Sequence, residues 1–535
     1  MSSAAPVPAS FAARRWPATL FPRPAALFLA VALVVAIPVL VAGTLTHDSF
    51  WIDYVWADRF HAALAQGTPY PRWLDGSFDG LGAPVFYFYA PIAFYVVAGA
   101  MALGLQTFPA LFATFIAFHM LSGVTMHRWL GGHGRPALFG ALLYMLLPYH
   151  LVDFHRRGAL AEFAAFAVLP LVAHGIARIG RGRGPAALAF AYAALAMTHL
   201  PTALLASVLL VPPLALHRDN RPRLPVTAAA LALGLGMAAI YLLPALTLQR
   251  FTNMSSLWAA VTLSPAAWNM ADPGRWVSRE AGLEFATLIA AVAIPGLAVA
   301  ALYWRRTRFW PAVALFACLV AGNLVPGFWS IPFLAKVQFP WRALAIAEFA
   351  LATALAGVVA DPHRRRILLW SLLPAVTLVT ATILTPLFAG TAGRAALDRD
   401  RPEVPEYLPA NATIRSSAAA VALARSRPDR VDRDGWSTRR RFWFPDLVVR
   451  CDGIVVPSRP DPATGLVRHP AAGACILSRG QPAVVRTGMF LSLLALLLTL
   501  ATIWMHPSQR RRVPSAVPST KEFLPWPTPV RSRNI

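Results

Sequence analysis

Long apolar runs, separated by short basic clusters, are the main pattern along the chain. A run of about 18 apolar residues can cross a hydrocarbon core of roughly 30 Å as a helix. Basic residues gather in cytoplasmic loops of membrane proteins, so an even number of spans must separate successive clusters. With that condition the pattern predicts twelve spanning helices, at residues 24–43, 108–126, 136–151, 159–177, 185–198, 200–216, 225–248, 283–304, 309–325, 341–360, 367–388 and 488–505.

One further apolar segment, residues 84–105, does not fit this even count. It lies in the stretch that starts APVFYFYAPIAFYVV, in which two prolines and six aromatic rings are crowded together. Proline interrupts helices, and tyrosine rings favour the boundary between lipid and water. We therefore expect this segment to lie on the outer face of the membrane, or to re-enter it, without crossing.

The same pattern divides the chain into five parts. They are a cytoplasmic tail at 1–23, a helical bundle at 24–389 with an outer loop at 44–107, an exported segment at 390–486, a last spanning helix at 487–506 and a disordered cytoplasmic tail at 507–535. The exported segment has short alternating runs such as DLVVRCDGIVV between turn residues, which predict a small β-sandwich. It also contains Cys451 and Cys475, where a disulfide and two free thiols are both compatible with the sequence.

Composition supports a membrane protein and argues against a soluble one. Hydrophobic residues make up 57% of the chain, charged residues make up 13%, and the mean hydropathy is +0.54. The net charge of +24 comes from clusters between apolar runs, where arginines set orientation and contact anionic lipid head groups. No basic stripe is interleaved with aromatic residues in a soluble segment, so membrane lipids and not nucleic acids are the predicted partners.

Acidic residues are concentrated in the outer loop. Five of the 24 in the chain fall within 32 positions: Asp48, Asp53, Asp58, Asp75 and Asp79. Asp48 follows the first span directly, where a carboxylate could accept a proton from a hydroxyl or hold a divalent cation against a phosphate. It could equally cap the helix that follows. For Asp53 and Asp58 we favour the polar face of a helix on the membrane surface.

Arginines and histidines near the outer face are the second group of candidates. The turn His155-Arg156-Arg157 precedes Glu162, and its guanidinium groups match phosphate oxygens in a bidentate fork. The alternative is an Arg157–Glu162 pair that ties the turn to the next helix, although a spacing of five is imperfect for it. Arg342 could be another phosphate contact or part of an interfacial anchor, and His199 occupies a tight outer turn.

Several motifs resemble those of the bacterial membrane proteins labelled 6-pyruvoyl-tetrahydropterin synthase-related. They are THD…YPRW…GLGAPVFYFYAPIAFY, HRRGALAEFAAF, HLP at His199, QFPWR at Gln338, PEYLP at Pro405 and RFWFPDLVVRCDGIVV…TGLVRHPAAGACILS. That family in turn is similar to the GT-C membrane glycosyltransferases, including the bacterial YfhO-type proteins. The resemblance implies a GT-C-like bundle with interfacial helices, in the inner membrane of a bacterium.

The resemblance also implies chemistry. A carboxylate in the first outer loop serves as base or metal ligand, and the donor is a sugar on a polyprenyl phosphate. Asp48 matches that carboxylate, while Asp153 and Glu162 are both candidates for a second acidic position. The family pattern has a second histidine after the His-Asp pair, where this chain has Asp53 and Tyr54. We therefore predict no metal site, and a requirement for a divalent cation is left open.

These observations lead to three functional hypotheses. The first is an inverting glycosyltransferase that acts outside the cytoplasm on a cell-envelope glycan or lipid. Asp48 is its base, and the predicted substrate-binding residues are His47, Arg156, Arg157, Glu162, His199 and Arg342. The second is a transporter or flippase for a lipid-linked precursor, which the lack of an internal repeat disfavours. The third is a non-catalytic membrane scaffold.

Overall fold

The protein is mainly helical, with a small β-rich region near its C-terminus. The computed structural model describes residues 24–42, 49–259, 264–359, 365–388, 403–410, 412, 414–426, 430–431 and 434–505. The principal helices are α1 (Pro24–Ala42), α2 (Phe50–Ala65), α3 (Val85–Phe88), α4 (Ile92–Ala102), α5 (Thr107–Trp129), α6 (Gly134–Leu146), α7 (Pro148–Val152), α8 (Leu160–Gly180), α9 (Ala186–Thr198), α10 (Leu200–Leu209), α11 (Val211–Ala215), α12 (Leu224–Met237), α13 (Ala239–Leu248), α14 (Met254–Ala259), α15 (Arg279–Thr307), α16 (Phe309–Ala321), α17 (Pro332–Ala335), α18 (Leu344–Val358), α19 (Arg365–Ser371), α20 (Leu373–Phe388), α21 (Ser417–Ser426) and α22 (Ala483–Met505).

Several of these helices are long and apolar enough to cross a membrane, so the predicted multi-pass helical class is confirmed. In the described part of the chain there are six: Pro24–Ala42, Thr107–Trp129, Leu160–Gly180, Arg279–Tyr303, Pro340–Val358 and Ala483–Met505. Two bent pairs, α6 with α7 and α12 with α13, raise the number to eight if each pair is one span. The other four predicted spans contain shorter apolar helices, so twelve crossings stay a prediction.

At both bends, side chains of other helices accept backbone N–H groups. Between α6 and α7 the axis turns by 43°, where Pro148 cannot continue the hydrogen-bond ladder. The freed N–H groups of Tyr149 and His150 donate to the buried Glu348 carboxylate, at 2.6 and 3.1 Å. Between α12 and α13 the axis turns by 68°, and the Ile240 N–H donates to the Ser492 hydroxyl of α22 at 2.8 Å. Side chains on other helices therefore stabilise the broken helical backbone.

The aromatic segment 84–105 forms two short helices, α3 and α4, that are interrupted at Ala90 and Pro91. Helix α4 has 11 residues, and at about 1.5 Å per residue it is too short to cross the hydrocarbon core. Its predicted place at the outer face fits this length.

The β-rich region contains two antiparallel sheets, which confirms the predicted small β domain. The strands are β1 (Arg430–Val431), β2 (Trp436–Phe442), β3 (Leu447–Cys451), β4 (Ile454–Val456), β5 (Arg459–Pro460), β6 (Leu466–Pro470) and β7 (Cys475–Arg479). One sheet has the order β1-β2-β6-β5 and the other β4-β3-β7. Cys451 and Cys475 are paired across β3 and β7 and form a disulfide.

This β domain packs directly on the loop that follows α2. The Phe442 N–H donates to the Leu81 carbonyl at 2.8 Å, and the Tyr87 hydroxyl donates to Asp446 at 3.0 Å. Arg441 also forms an ion pair with Asp75. The β domain and this loop therefore lie against each other, as the prediction that both are exported requires.

Candidate functional site

A buried cluster of charged side chains lies where the chain turns from α7 into α8. The Arg157 Nη1 contacts Asp153 Oδ1 at 2.5 Å and Glu162 Oε2 at 2.8 Å. The Arg342 Nε donates to the same Glu162 oxygen at 3.1 Å, and the Tyr149 hydroxyl donates to the other. The structure thus brings together three predicted site residues, Arg157, Glu162 and Arg342, in one network.

The local backbone explains why the imperfect spacing of Arg157 and Glu162 still gives a pair. Residues Asp153–Arg157 form a single π-helical turn, which ends at Gly158 with φ of 59°. Helix α8 therefore begins on a new axis, and Glu162 comes back towards Arg157. The predicted tie between turn and helix is present, and it includes Asp153 as well.

Arg342 reaches this cluster from a distant part of the sequence. It lies in the 3₁₀ turn Pro340–Ala343, and its Nη1 donates to the Val337 carbonyl at 2.6 Å. Its ring neighbour Phe339 lies 5.1 Å from the guanidinium carbon, within the range of a cation–π contact. The contact with the Val337 carbonyl and the Phe339 ring orient the Arg342 guanidinium towards Glu162.

A cavity of about 1050 Å³ adjoins the cluster. Arg156, Arg157, His199 and Arg342 all line it, while Glu162 lies behind them. Many of its other lining residues are apolar, contributed by α10, α13 and α15. A cavity of this size with few convergent polar groups is typical of a site for a small or lipid-linked molecule.

Arg156 is held differently from Arg157. Its Nη2 forms an ion pair with Glu284 Oε2 at 2.8 Å, and its side chain is 52% exposed. An exposed pair of this kind contributes little to stability, roughly 0–1 kcal/mol. Of the three predicted arginines, Arg156 is therefore the one that can most readily turn to a bound anion.

His199 lies at the break between α9 and α10 and is buried beside the cavity. Its Nδ1 hydrogen-bonds with the Thr202 hydroxyl at 2.8 Å. This local bond matches the expected turn histidine, and the cavity position is compatible with substrate binding.

The expectation for Asp53 is wrong. Asp53 is not on an exposed polar face but is 1% exposed and lines the cavity, whereas Asp58 is exposed. Its Oδ2 accepts the Leu160 N–H at 3.1 Å, so it caps α8 from a different part of the chain. Burial raises the pKa of Asp53 to about 8, because the charged form loses its hydration.

Two predicted residues, His47 and Asp48, lie outside the described residues. Ser49, which follows them, lines the cavity, and its N–H donates to the Arg157 carbonyl at 2.9 Å. Ser49 therefore lies beside the turn that carries Arg156 and Arg157.

Sequence reasoning missed the contribution of the 3₁₀ turn Pro405–Tyr407. Glu406 and Tyr407 both line the cavity, and the Tyr407 ring packs against Trp56 of α2 at 5.6 Å between centroids. The signal was available in the PEYLP motif, whose acidic and aromatic residues stand between prolines. Lys336 and Glu284 are further charged residues in the cavity lining.

Within the described residues, side chains placed closely enough to bind a metal ion together lie outside the cavity. One group of three suitable ligands, Cys451, His469 and Cys475, lies in the β domain, where the two sulfurs are joined to each other. The cavity carboxylates of the described residues form no such group. Asp48 lies outside the described residues, so the requirement for a divalent cation stays open.

Comparison with solved structures gives a partial similarity. No family model matches the chain, and no curated protein matches it. The fold is similar to a solved structure titled as the single-particle cryo-EM structure of the arabinofuranosyltransferase AftD from Mycobacteria. The two share 17% sequence identity with a TM-score of 0.44, over 68% of this chain and 26% of AftD.

The chain thus spans about a quarter of the length of that protein. At this identity and TM-score the similarity supports no conclusion about fold or activity. The resemblance to the 6-pyruvoyl-tetrahydropterin synthase-related family stays a prediction from the motifs.

Proposed function

We propose that this protein is an integral-membrane glycosyltransferase of the GT-C type. It moves a sugar from a polyprenyl-phosphate donor to an acceptor outside the cytoplasm, at the outer side of a bacterial inner membrane. The observation that carries the proposal is the cavity of about 1050 Å³, because it joins three arginines to apolar helix surfaces. The arginines can bind the phosphate of the donor, and the apolar helix surfaces can bind its polyprenyl chain.

The reaction is a displacement at the anomeric carbon. Asp48 takes the proton of the acceptor hydroxyl, and the hydroxyl oxygen forms the new bond to that carbon with inversion. The bond from carbon to phosphate oxygen breaks, and its electron pair leaves with the polyprenyl phosphate. Preorganised guanidinium groups stabilise this developing charge in a partly dry site.

The arginines divide this work. Arg157 and Arg342 are held by Glu162, so their positions are fixed before substrate binds. Arg156, which is half-exposed, turns from Glu284 to the phosphate. Asp53 is a poor base at neutral pH because its raised pKa keeps it protonated, and this favours Asp48 for proton abstraction.

The test is sugar transfer by membranes that contain Asp48→Asn, with protein amount matched to wild type. Asp58→Asn is the matched control, because Asp58 is exposed and accepts a hydrogen bond from Thr107 that asparagine can retain. We expect transfer to be lost in the first variant and kept in the second. Retained transfer with Asp48→Asn removes Asp48 from the mechanism.

A deletion strain tests the function as a whole. Mass analysis of its lipid-linked glycans and envelope polymers should show a glycan that lacks one sugar, together with accumulated donor lipid. An unchanged envelope would contradict the proposal. Accumulation of a complete lipid-linked glycan on the inner leaflet would instead indicate the transporter.

A further inference from the structure

A strap of the chain, residues 403–410, closes one wall of the cavity and is fixed at both ends. At its start, the Glu403 carboxylate receives the Arg59 guanidinium and the Phe78 N–H. At its end, the Asn253 N–H donates to the Leu408 carbonyl at 2.8 Å, and the Ala410 N–H donates to Phe251 at 3.1 Å. These contacts make the strap a fixed part of the wall.

The turn Pro405–Tyr407 in this strap presents a carboxyl group within an aromatic surface. The Tyr407 ring packs against Trp56 at 5.6 Å and stacks with Phe88 at 6.2 Å between centroids. Glu406 beside it lines the cavity and is half-buried. No arginine or lysine of the described residues forms an ion pair with Glu406, so its oxygens are available to the cavity.

Charge is distributed unevenly across the cavity. Arg156, Arg157 and Arg342 line it near the Arg157 turn, whereas Glu406 lines it from residues 403–410. The Tyr89 and Tyr407 rings both pack on Trp56, at 5.0 and 5.6 Å between centroids. A phosphate is attracted to the arginines. Burial raises the pKa of Glu406 to about 7, so near neutral pH its carboxyl offers hydrogen-bonding oxygens with only a partial negative charge. The Glu406 side therefore suits an uncharged group with hydroxyls.

We propose that Glu406, with Trp56, Phe88 and Tyr407, forms a subsite for the ring of a neutral saccharide. The carboxylate accepts hydrogen bonds from ring hydroxyls, and the aromatic surface packs on the C–H face of the ring. This inference rests on the proposed function and specifies where in the cavity the sugar lies. The ring belongs either to the acceptor glycan or to the sugar of the donor lipid.

The experiment measures binding and needs no transfer. Full-length protein in lipid nanodiscs is titrated with methyl mannopyranoside, methyl glucopyranoside and methyl arabinofuranoside, observed by saturation-transfer NMR. Glu406→Gln removes the charge, and Tyr407→Leu removes the ring. Glu280→Gln is the matched control, because Glu280 is exposed on the first turn of α15 and does not line the cavity.

We expect saturable binding of at least one glycoside, weakened about tenfold by Glu406→Gln and unchanged by Glu280→Gln. A glycoside that binds alone identifies the acceptor as the source. Binding that appears only when the sugar is carried on a polyprenyl phosphate identifies the donor.

Equal binding by wild type and Glu406→Gln overturns the inference, as does a lack of binding to every glycoside and to the lipid-linked sugar. If Glu406→Gln fails to fold, Tyr407→Leu with a normal unfolding temperature carries the same test. Glycoside binding without any transfer by membranes would contradict the proposed function and leave the subsite in place. If Glu406→Gln changes neither the transfer rate nor the acceptor KM, the subsite is contradicted and the proposed function stands.

Discussion

The Arg342 Nε lies 3.1 Å from Glu162 Oε2, although 180 positions separate the two residues in the sequence. The same oxygen receives Arg157, so one carboxylate positions two cationic groups of the cavity. Asp153 contacts the same Nη1 of Arg157, and burial together with the nearby Glu162 raises the pKa of its carboxyl well above the usual range. The two buried cations therefore depend on the Glu162 carboxylate as their shared negative partner in a low-dielectric interior.

These contacts make Glu162 important for stability. Glu162→Gln removes the carboxylate that contacts both Arg157 and Arg342, and an unbalanced buried charge costs about 3–5 kcal/mol. We expect a loss of that size in the free energy of unfolding, measured by denaturant unfolding of the purified protein.

Asp272→Asn is the comparison for Glu162→Gln, because it removes an acidic partner from an exposed pair. Arg275 and Asp272 are in contact at 2.9 Å but are largely exposed, so we expect a change below about 1 kcal/mol. Similar losses in the two variants would mean that the buried cluster adds nothing to stability.

Asp53 should make stability depend on pH. Its pKa rises from 3.8 in the unfolded chain to about 8 in the folded protein, so between these values only the unfolded state releases the proton. Stability from this residue therefore decreases as the pH rises from 4 to 8, and levels off above. Asp53→Asn keeps an acceptor for the Leu160 N–H but does not titrate.

The measurement for Asp53 is the unfolding temperature of wild type and Asp53→Asn between pH 5 and 8. We expect the unfolding temperature of Asp53→Asn to increase relative to that of the wild type as the pH rises. A constant difference across this range would show that Asp53 titrates with its ordinary pKa.

The sequence predicted those features that depend on local spacing. The apolar runs form helices, the alternating segment forms antiparallel sheets, and the turn before Glu162 forms part of a charged cluster. Each follows from hydrophobic periodicity or from neighbours a few residues apart.

Features that depend on distant contacts could not be read in this way. Asp53 and Asp58 lie on one short amphipathic helix, and only packing against Leu160, 107 positions away, decides which is buried. Glu406 could not be placed because it reaches the cavity through a strap whose anchors, Arg59 and Asn253, lie in two other regions.

The cysteines give a prediction about the β domain. Alkylation of denatured protein without reductant should detect one thiol, from Cys318, and three after reduction. Cys451→Ser with Cys475→Ser should destabilise the domain by about 3 kcal/mol, a typical effect for a closed loop of this length. Three reactive thiols without reductant, together with a bound metal, would instead show that His469 and both cysteines hold an ion.

Gly158 should be essential for the shape of the arginine turn. It has φ of 59°, and a Cβ built on it would lie 2.6 Å from the Phe50 Cβ, which is fixed to the backbone of α2. Gly67 also has a positive φ, of 84°, but a Cβ there would meet nothing within 4 Å. Alanine at either site costs roughly 1 kcal/mol in backbone strain, and only Gly158→Ala adds a clash of about 1–3 kcal/mol.

We therefore expect Gly158→Ala to lose more unfolding free energy than Gly67→Ala. It should also lose sugar transfer, because displacing α2 breaks the contact from Ser49 to the Arg157 carbonyl. Equal stability and full transfer in both variants would mean that α2 can move without disturbing the arginines.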